Sequence, residues 1–217
     1  MKIKKIIDVS RRIYPGMAVW PGDSPVEIEI NSSIEKGDAC NVSSIKMGLH
    51  TGTHIDAPFH FINGGKRISS LNLSHYIGTV KVFDLKVQGF IDKSSISPLP
   101  IFEGDTVFLK TRNSLLHQTE PFCKDFIYIE ESAAAYLAEK KIKTLGVDYL
   151  SIDGYSSSGY LSDGHPAHHL LLSNEIGIIE GLYLKDVQEG EYFFSCLPLS
   201  IEDADGSPVR AVLFETE

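Results

Sequence analysis

His50-Thr51-Gly52-Thr53-His54-Ile55-Asp56-Ala57-Pro58-Phe59-His60-Phe61 places three of the chain's eight histidines and a carboxylate within twelve residues. Neutral imidazoles and a carboxylate make a ligand set that suits zinc or manganese, and catalytic sites of this kind keep one position open for water or substrate. The stretch reads as a metal site with a base to spare. No regular element can hold it. On a helix His50 and His54 share a face while Asp56 points to roughly the opposite side. On a straight strand, at ~3.3 Å per residue, His50 and Asp56 stand ~20 Å apart, too far to share an ion. A bend is therefore predicted, with backbone freedom from Gly52 and an end to any regular element at Pro58.

Outward from this stretch, short alternating or β-branched segments recur. Lys2–Val9, Val26–Ile30, Val42–Leu49, Thr79–Leu85, Thr106–Leu109, Phe126–Ile129, Leu145–Leu150, Ile176–Ile179, Glu191–Leu197 and Val209–Phe214 read as strands. Glu131–Lys143, with three consecutive alanines and a Lys-rich end before Gly146, reads as a helix feeding the Leu145–Leu150 strand. Pro166 can occupy the first turn of a second helix that carries His168, His169 and the leucines after them. The expected fold class is α/β with few helices around a mixed or barrel-like sheet, rather than a regularly alternating doubly wound fold.

At 217 residues the chain can bury one sizeable core, and no linker or repeat divides it, so residues 1–217 read as a single domain. A hydrophobic content of 42% excludes global disorder. The net charge of −9 argues against nucleic acid or an anionic membrane surface as a partner, since both reward clustered Lys and Arg. Lys2, Lys4 and Lys5 form the one clear basic cluster and read as a solvated chain start. The Ile6-Ile7 run behind them is too short for a signal peptide or a membrane span, so the cytoplasm is the expected compartment. Cys40, Cys123 and Cys196, odd in number and widely spaced, read as reduced thiols.

The run from His50 to His60 resembles the signature of the cyclase-like metal-dependent hydrolases, a family that includes the bacterial kynurenine formamidases and the isatin hydrolases. Tyr14–Pro25, Leu145–Asp153, His168–Gly181 and Gly206–Leu213 resemble that family too, so that the resemblance extends along most of the chain, from Tyr14 to Leu213. The resemblance implies a swivelling β/β/α fold and assembly as a homodimer or higher oligomer. It also implies a small-molecule amide as substrate and no organic cofactor. By the same resemblance His50, His54 and Asp56 hold a first ion, and His168 and Glu180 join Asp56 in completing the site or holding a second. Zn2+ or Mn2+ would be the metal.

His60 is expected to carry protons. The resemblance makes it donor and acceptor rather than ligand, and an imidazole with an ordinary pKa of ~6.5 is matched to passing a proton from an activated water to a leaving amine. His165 and His169 stay open as neighbours of His168. A buried Glu180 between Ile179 and Gly181 needs a cation to remain ionised, or else a Lys or Arg. Trp20, in a loop bounded by Pro15-Gly16 and Pro21-Gly22, is placed to stack on a planar substrate, and core packing is its alternative role.

The implied activity is arylformamidase, releasing kynurenine and formate from N-formyl-kynurenine, with isatin-hydrolase-like opening of a cyclic amide as the alternative. Thr53 and Ala57-Pro58-Phe59 follow the broad family pattern, whereas formamidases favour Ala and Gly-Pro-Leu there. A metal-binding protein without catalysis is the rival from another class, and a spare proton carrier such as His60 argues against it. Gly154–Gly159 falls short of a nucleophile elbow because residue 158 is serine. Asp203-Ala204-Asp205-Gly206 lacks the glutamate of a calcium loop at Val212 and reads as a hairpin turn. Gly64-Gly65-Lys66 lacks the rest of a phosphate-binding loop.

Overall fold

The computed structural model describes residues 2–116, 122–155 and 164–216. Ser156-Ser157-Ser158-Gly159, the end of the elbow-like stretch, lies outside them. The first half contains β1 (Ile3–Asp8), β2 (Glu27–Ser32), β3 (Val42–Lys46), β4 (His54–Asp56), β5 (Ile77–Asp84), β6 (Phe90–Ile91), α1 (Lys93–Ile96) and β7 (Thr106–Lys110). The second half contains β8 (Tyr128–Ile129), α2 (Glu131–Glu139), β9 (Thr144–Val147), α3 (Pro166–Ser173), β10 (Gly177–Glu180), β11 (Gly190–Ser195), β12 (Gly206–Pro208) and β13 (Val212–Thr216).

Nine strands form one curled, mixed sheet in the order β1-β13-β11-β5-β7-β9-β10-β4-β12, a half-barrel with few helices. Its centre, β5-β7-β9-β10, is parallel, and both flanks are antiparallel. Parallel strands need cover on both faces, and the residues alternate accordingly. Val107, Leu109, Leu145, Val147 and Ile178 face a core shared with Leu137 of α2 and Leu171 of α3. Phe108, Ile179, Ile55, Val80 and Val82 face the opposite core with Phe194 and Leu213.

Several boundaries differ from the sequence expectation, for local reasons. Helix α2 stops at Glu139 rather than Lys143, because the chain turns through Lys141 in the left-handed region (φ 53°) to bring buried Ile142 under the sheet. Strand β9 ends at Val147, and the next residue, Asp148, turns its carboxylate onto the N–H and hydroxyl groups of Thr111 and Ser114. Residues 209–211 precede the last strand, since Val209 N–H donates to Thr53 O and Ala211 O accepts from Val9 N–H. Asp203–Gly206 does not close a hairpin. It turns at Asp203 (φ 54°) and leads into β12, which pairs with β4 at the far edge of the sheet.

Candidate active site

The bend predicted between His50 and His60 is present. Residues 50–53 form a turn with Gly52 at φ 69°, residues 54–56 are the short strand β4, and Pro58 opens a 3-10 helix that ends at His60. Strand period then decides which side chains meet. Ile55 points into the core, so His54 and Asp56 share the other face, where Glu180 of β10 stands directly across from His54. Glycine makes this approach possible. A Cβ on Gly181, itself at φ 69°, would lie 2.0 Å from Gly52 O. Thr53 clamps the same corner, with Oγ1 accepting from Arg11 N–H at 2.8 Å and donating to Gly181 O at 2.7 Å.

His168 reaches the site from the first turn of α3. Asp153 holds that turn, with Oδ1 accepting Ala167 N–H and Oδ2 accepting His168 N–H, both at 3.1 Å. The same Oδ2 accepts His168 Nδ1–H at 2.6 Å, so the ring's other nitrogen, Nε2, faces Glu180 Oε1 at 3.1 Å and Asp56 Oδ2 at 3.3 Å. His54 is arranged the same way: Nδ1–H donates to Gly52 O at 3.1 Å, and Nε2 faces Glu180 Oε2 at 3.2 Å and Asp56 Oδ1 at 3.5 Å. Such second contacts fix a tautomer and aim the free nitrogen.

Two buried imidazole lone pairs and two buried carboxylates thus point at one another, which is unfavourable unless something positive lies between them. His54 Nε2 and Asp56 Oδ2 have no hydrogen-bond partner. His50, His54 and Asp56 form one cluster of potential ligand atoms, Asp56, His168 and Glu180 form another, and the atoms of each lie within 4.8 Å of one another. Asp56 belongs to both. Donor chemistry, burial and orphaned acceptors all fit divalent cations.

The protonation pattern says the same. Burial would push Asp56 and Glu180 up, yet the surrounding histidines hold both below their ordinary values, Asp56 well below. Burial would lower His168, but its contacts with Asp153, Asp56 and Glu180 raise it well above the ordinary value. His50 is likewise raised to about 10 against burial, by the charge of Asp56 and by Asp205. In a metal-free site these histidines carry the positive charge the carboxylates require.

His60 differs. Its pKa is lowered to about 4, chiefly by burial, with the Asp56 charge opposing and His50 and His168 pushing it further down. Its ring stacks on His50 at 3.9 Å, beside the ligand cluster. Phe61 stacks on His168 at 4.3 Å and closes that side. His165 lies near His168 and Asp153, while His169 is exposed. Trp20 is not among the ligands. It packs edge-on against Phe122, Phe126 and Tyr155 at 5.0, 6.3 and 5.7 Å. In the same loop Asp23 N–H donates to Trp20 O at 3.0 Å, and burial raises the Asp23 pKa while the charges of His50 and His54 oppose that rise.

Sequence reasoning missed Asp153 and Asp205. Asp205 Oδ2 lies 3.2 Å from His50 Nε2 and 3.7 Å from His60 Nδ1, and His50 lowers its pKa to about 2. Each aspartate comes from a turn distant in sequence from the histidines it contacts, and nothing in its local pattern marked it.

A family profile described as "Putative cyclase" matches residues 7–154. The kynurenine formamidase of Bacillus cereus is 36% identical over 213 residues, covering 98% of this chain and 99% of that protein. A solved structure described as a "predicted metal-dependent hydrolase from Bacillus stearothermophilus" superposes with a TM-score of 0.84 at 39% identity, covering 98% of both chains. Isatin hydrolase A from Labrenzia aggregata shares the fold, with a TM-score of 0.81 at 22% identity over 98% of this chain and 94% of that one.

Proposed function

We propose that this chain, which belongs to the cyclase family, is a metal-dependent amide hydrolase whose substrate is N-formyl-kynurenine, cleaved to kynurenine and formate. The observation that carries the reading is the pair of clusters sharing Asp56, whose buried acceptors face one another, with His60 stacked on His50 beside them. His50, His54 and Asp56 would hold one ion, and Asp56, His168 and Glu180 a second. Zinc or manganese suits this N/O set.

A divalent ion held by these residues would supply polarisation of the amide carbonyl and a lowered pKa for the attacking water. His60 moves the proton. With Nδ1 turned toward Asp205, Nε2 is the atom left to take a proton from the attacking water and deliver it to the departing nitrogen as the C–N bond breaks. Phe61 and the buried ligands limit bulk water on the His168 side. Trp20 and its aromatic neighbours Phe122, Phe126 and Tyr155 would form the wall for the aryl ring.

The assembly in this reading is a homodimer. Strands β2 and β3 form a two-stranded sheet whose apolar face, Ile28, Ile30 and Ile45, is exposed at 45, 67 and 52%, and a lone hairpin of this kind is marginal in water without cover. Among the described residues no helix is long and apolar enough to cross a membrane. The three free thiols suit the reducing cytoplasm as the place of action.

The test is metal analysis of protein purified without chelator, followed by kcat/KM on N-formyl-kynurenine, isatin and formanilide. Bound zinc or manganese with N-formyl-kynurenine preferred is the expected result. Isatin preferred over N-formyl-kynurenine would overturn the substrate, and hydrolysis of none of the three would overturn the activity.

A further inference from the structure

The turn before β12 brings a carboxylate onto two of the site's histidines at once. Asp205 Oδ2 lies 3.2 Å from His50 Nε2 and 3.7 Å from His60 Nδ1. Those rings are stacked 3.9 Å apart with 23° between their planes, so one oxygen addresses both from the same side. The turn is well held: Ala57 N–H donates to Asp205 O at 2.8 Å, and Gly206 pairs with Asp56 in the β12–β4 ladder. Gly206 also leaves the space the ring needs, since a Cβ there would lie 2.6 Å from His50 Cε1.

A neutral imidazole carries one N–H, and a carboxylate facing one nitrogen fixes which nitrogen that is. For His50, an N–H on Nε2 donating to Asp205 leaves the Nδ1 lone pair toward Asp56, whose Oδ1 is 2.8 Å away. For His60, an N–H on Nδ1 leaves Nε2 bare, which a proton carrier needs. We infer that Asp205 is a positioning residue that sets the tautomer and orientation of both the metal ligand His50 and the proton carrier His60. The inference rests on the hydrolase reading above and adds a residue to it.

The experiment compares zinc-loaded Asp205→Asn, Asp205→Glu, His60→Ala and the double variant His60→Ala/Asp205→Asn, with N-formyl-kynurenine as substrate. Asp205→Asn should lower kcat about 10–100-fold, the range for residues that orient ligands from outside the first contact, while KM moves less than ~3-fold. Asp205→Glu should recover part of the loss. Because part of the Asp205 effect passes through His60, the loss in the double variant should be clearly smaller than the product of the two single losses, and fully multiplicative losses would overturn the inference. A second readout needs no turnover: long-range 1H–15N spectra of the ring nitrogens in the zinc protein. His60 should show one tautomer, with the proton on Nδ1, in the wild type and a mixture in Asp205→Asn, while the His50 signals should shift without a change of tautomer because zinc occupies Nδ1. An unchanged His60 tautomer in that variant would overturn the assignment even if activity fell. Should the wild type cleave none of the amides tested, the hydrolase reading fails, and the spectra still decide whether Asp205 sets the rings.

Discussion

Replacing Asp153 by Asn asks whether this buried carboxylate serves the helix alone or the metal centre as well. Its oxygens take three donors: Ala167 N–H at 3.1 Å, His168 N–H at 3.1 Å and His168 Nδ1–H at 2.6 Å. Asparagine has the same shape but one oxygen, so in either flip at least one donor meets an NH2 group. Hydrogen bonds to a charged group contribute about 1.5–3 kcal/mol, roughly twice the neutral kind. Losing one and neutralising the rest predicts about 2–4 kcal/mol, or ~4–16 °C of Tm in a chain of this size. Loss of a helix cap alone accounts for about 0.5–2 kcal/mol of that. The diagnostic part is the metal. A His168 ring released from its carboxylate should bind zinc about 10–100-fold more weakly, measured by chelator competition beside melting curves of the metal-free protein. The pH dependence has a definite sign. Burial acts to raise the Asp153 pKa, but the His168 bond and the helix N–H groups hold it below 3.8. Its contribution is therefore fully present above the ordinary carboxylate range and is lost as pH falls through the depressed value, so the two melting temperatures should converge only in strong acid. A lowered Tm with unchanged zinc affinity would refute the reasoning and leave Asp153 as a cap.

His54→Ala should abolish hydrolysis and lower bound metal measured by atomic absorption, since His54 Nε2 is an orphaned acceptor between Asp56 and Glu180; unchanged stoichiometry rules out ligation. His60→Ala should keep its metal and lose ~10²–10⁴-fold in kcat, the usual range for general acid–base catalysis, whereas loss of the metal with the activity would make His60 a ligand. Trp20→Ala removes edge-on contacts to Phe122 and Tyr155, each worth about 0.5–1.5 kcal/mol, so Tm should fall. It should also raise KM for aryl formamides more than for aliphatic ones, and equal KM changes would confine Trp20 to packing.

What the sequence made legible was whatever follows from local pattern. The bend at Gly52 and Pro58 could be derived because neither helix nor strand lets His50, His54 and Asp56 meet. Strands such as Thr106–Leu109 were visible as short β-branched segments, whereas the parallel pairing at the centre of the sheet was not. Strand β4 was not, because three residues fixed only by long-range pairing with β10 and β12 carry no periodicity of their own. Asp205 was read as part of a hairpin turn, and the chain turns there without closing a hairpin, because its neighbours are set by tertiary contacts. His168 and Glu180 came from resemblance. Their twelve-residue separation says nothing physical until α3 is known to fold back over β10.

The register of that pairing ties stability to chemistry. In the β4–β10 ladder Ile55 stands opposite Ile179, both buried in one core, and this alone forces His54 opposite Glu180 and Asp56 opposite Ile178 on the other face. A slip of one residue would turn Glu180 toward the apolar core and Ile179 toward the ligands, exposing a buried charge to hydrocarbon while removing an acceptor from the cluster. The apolar residues therefore select the arrangement in which two carboxylates and two imidazoles converge. Without a cation the carboxylates depend on protons held by the neighbouring histidines, and a bound cation takes over that role only in the correct register. Core packing and metal affinity thus favour the same alignment, which is how a three-residue strand can be held in place with so few hydrogen bonds of its own.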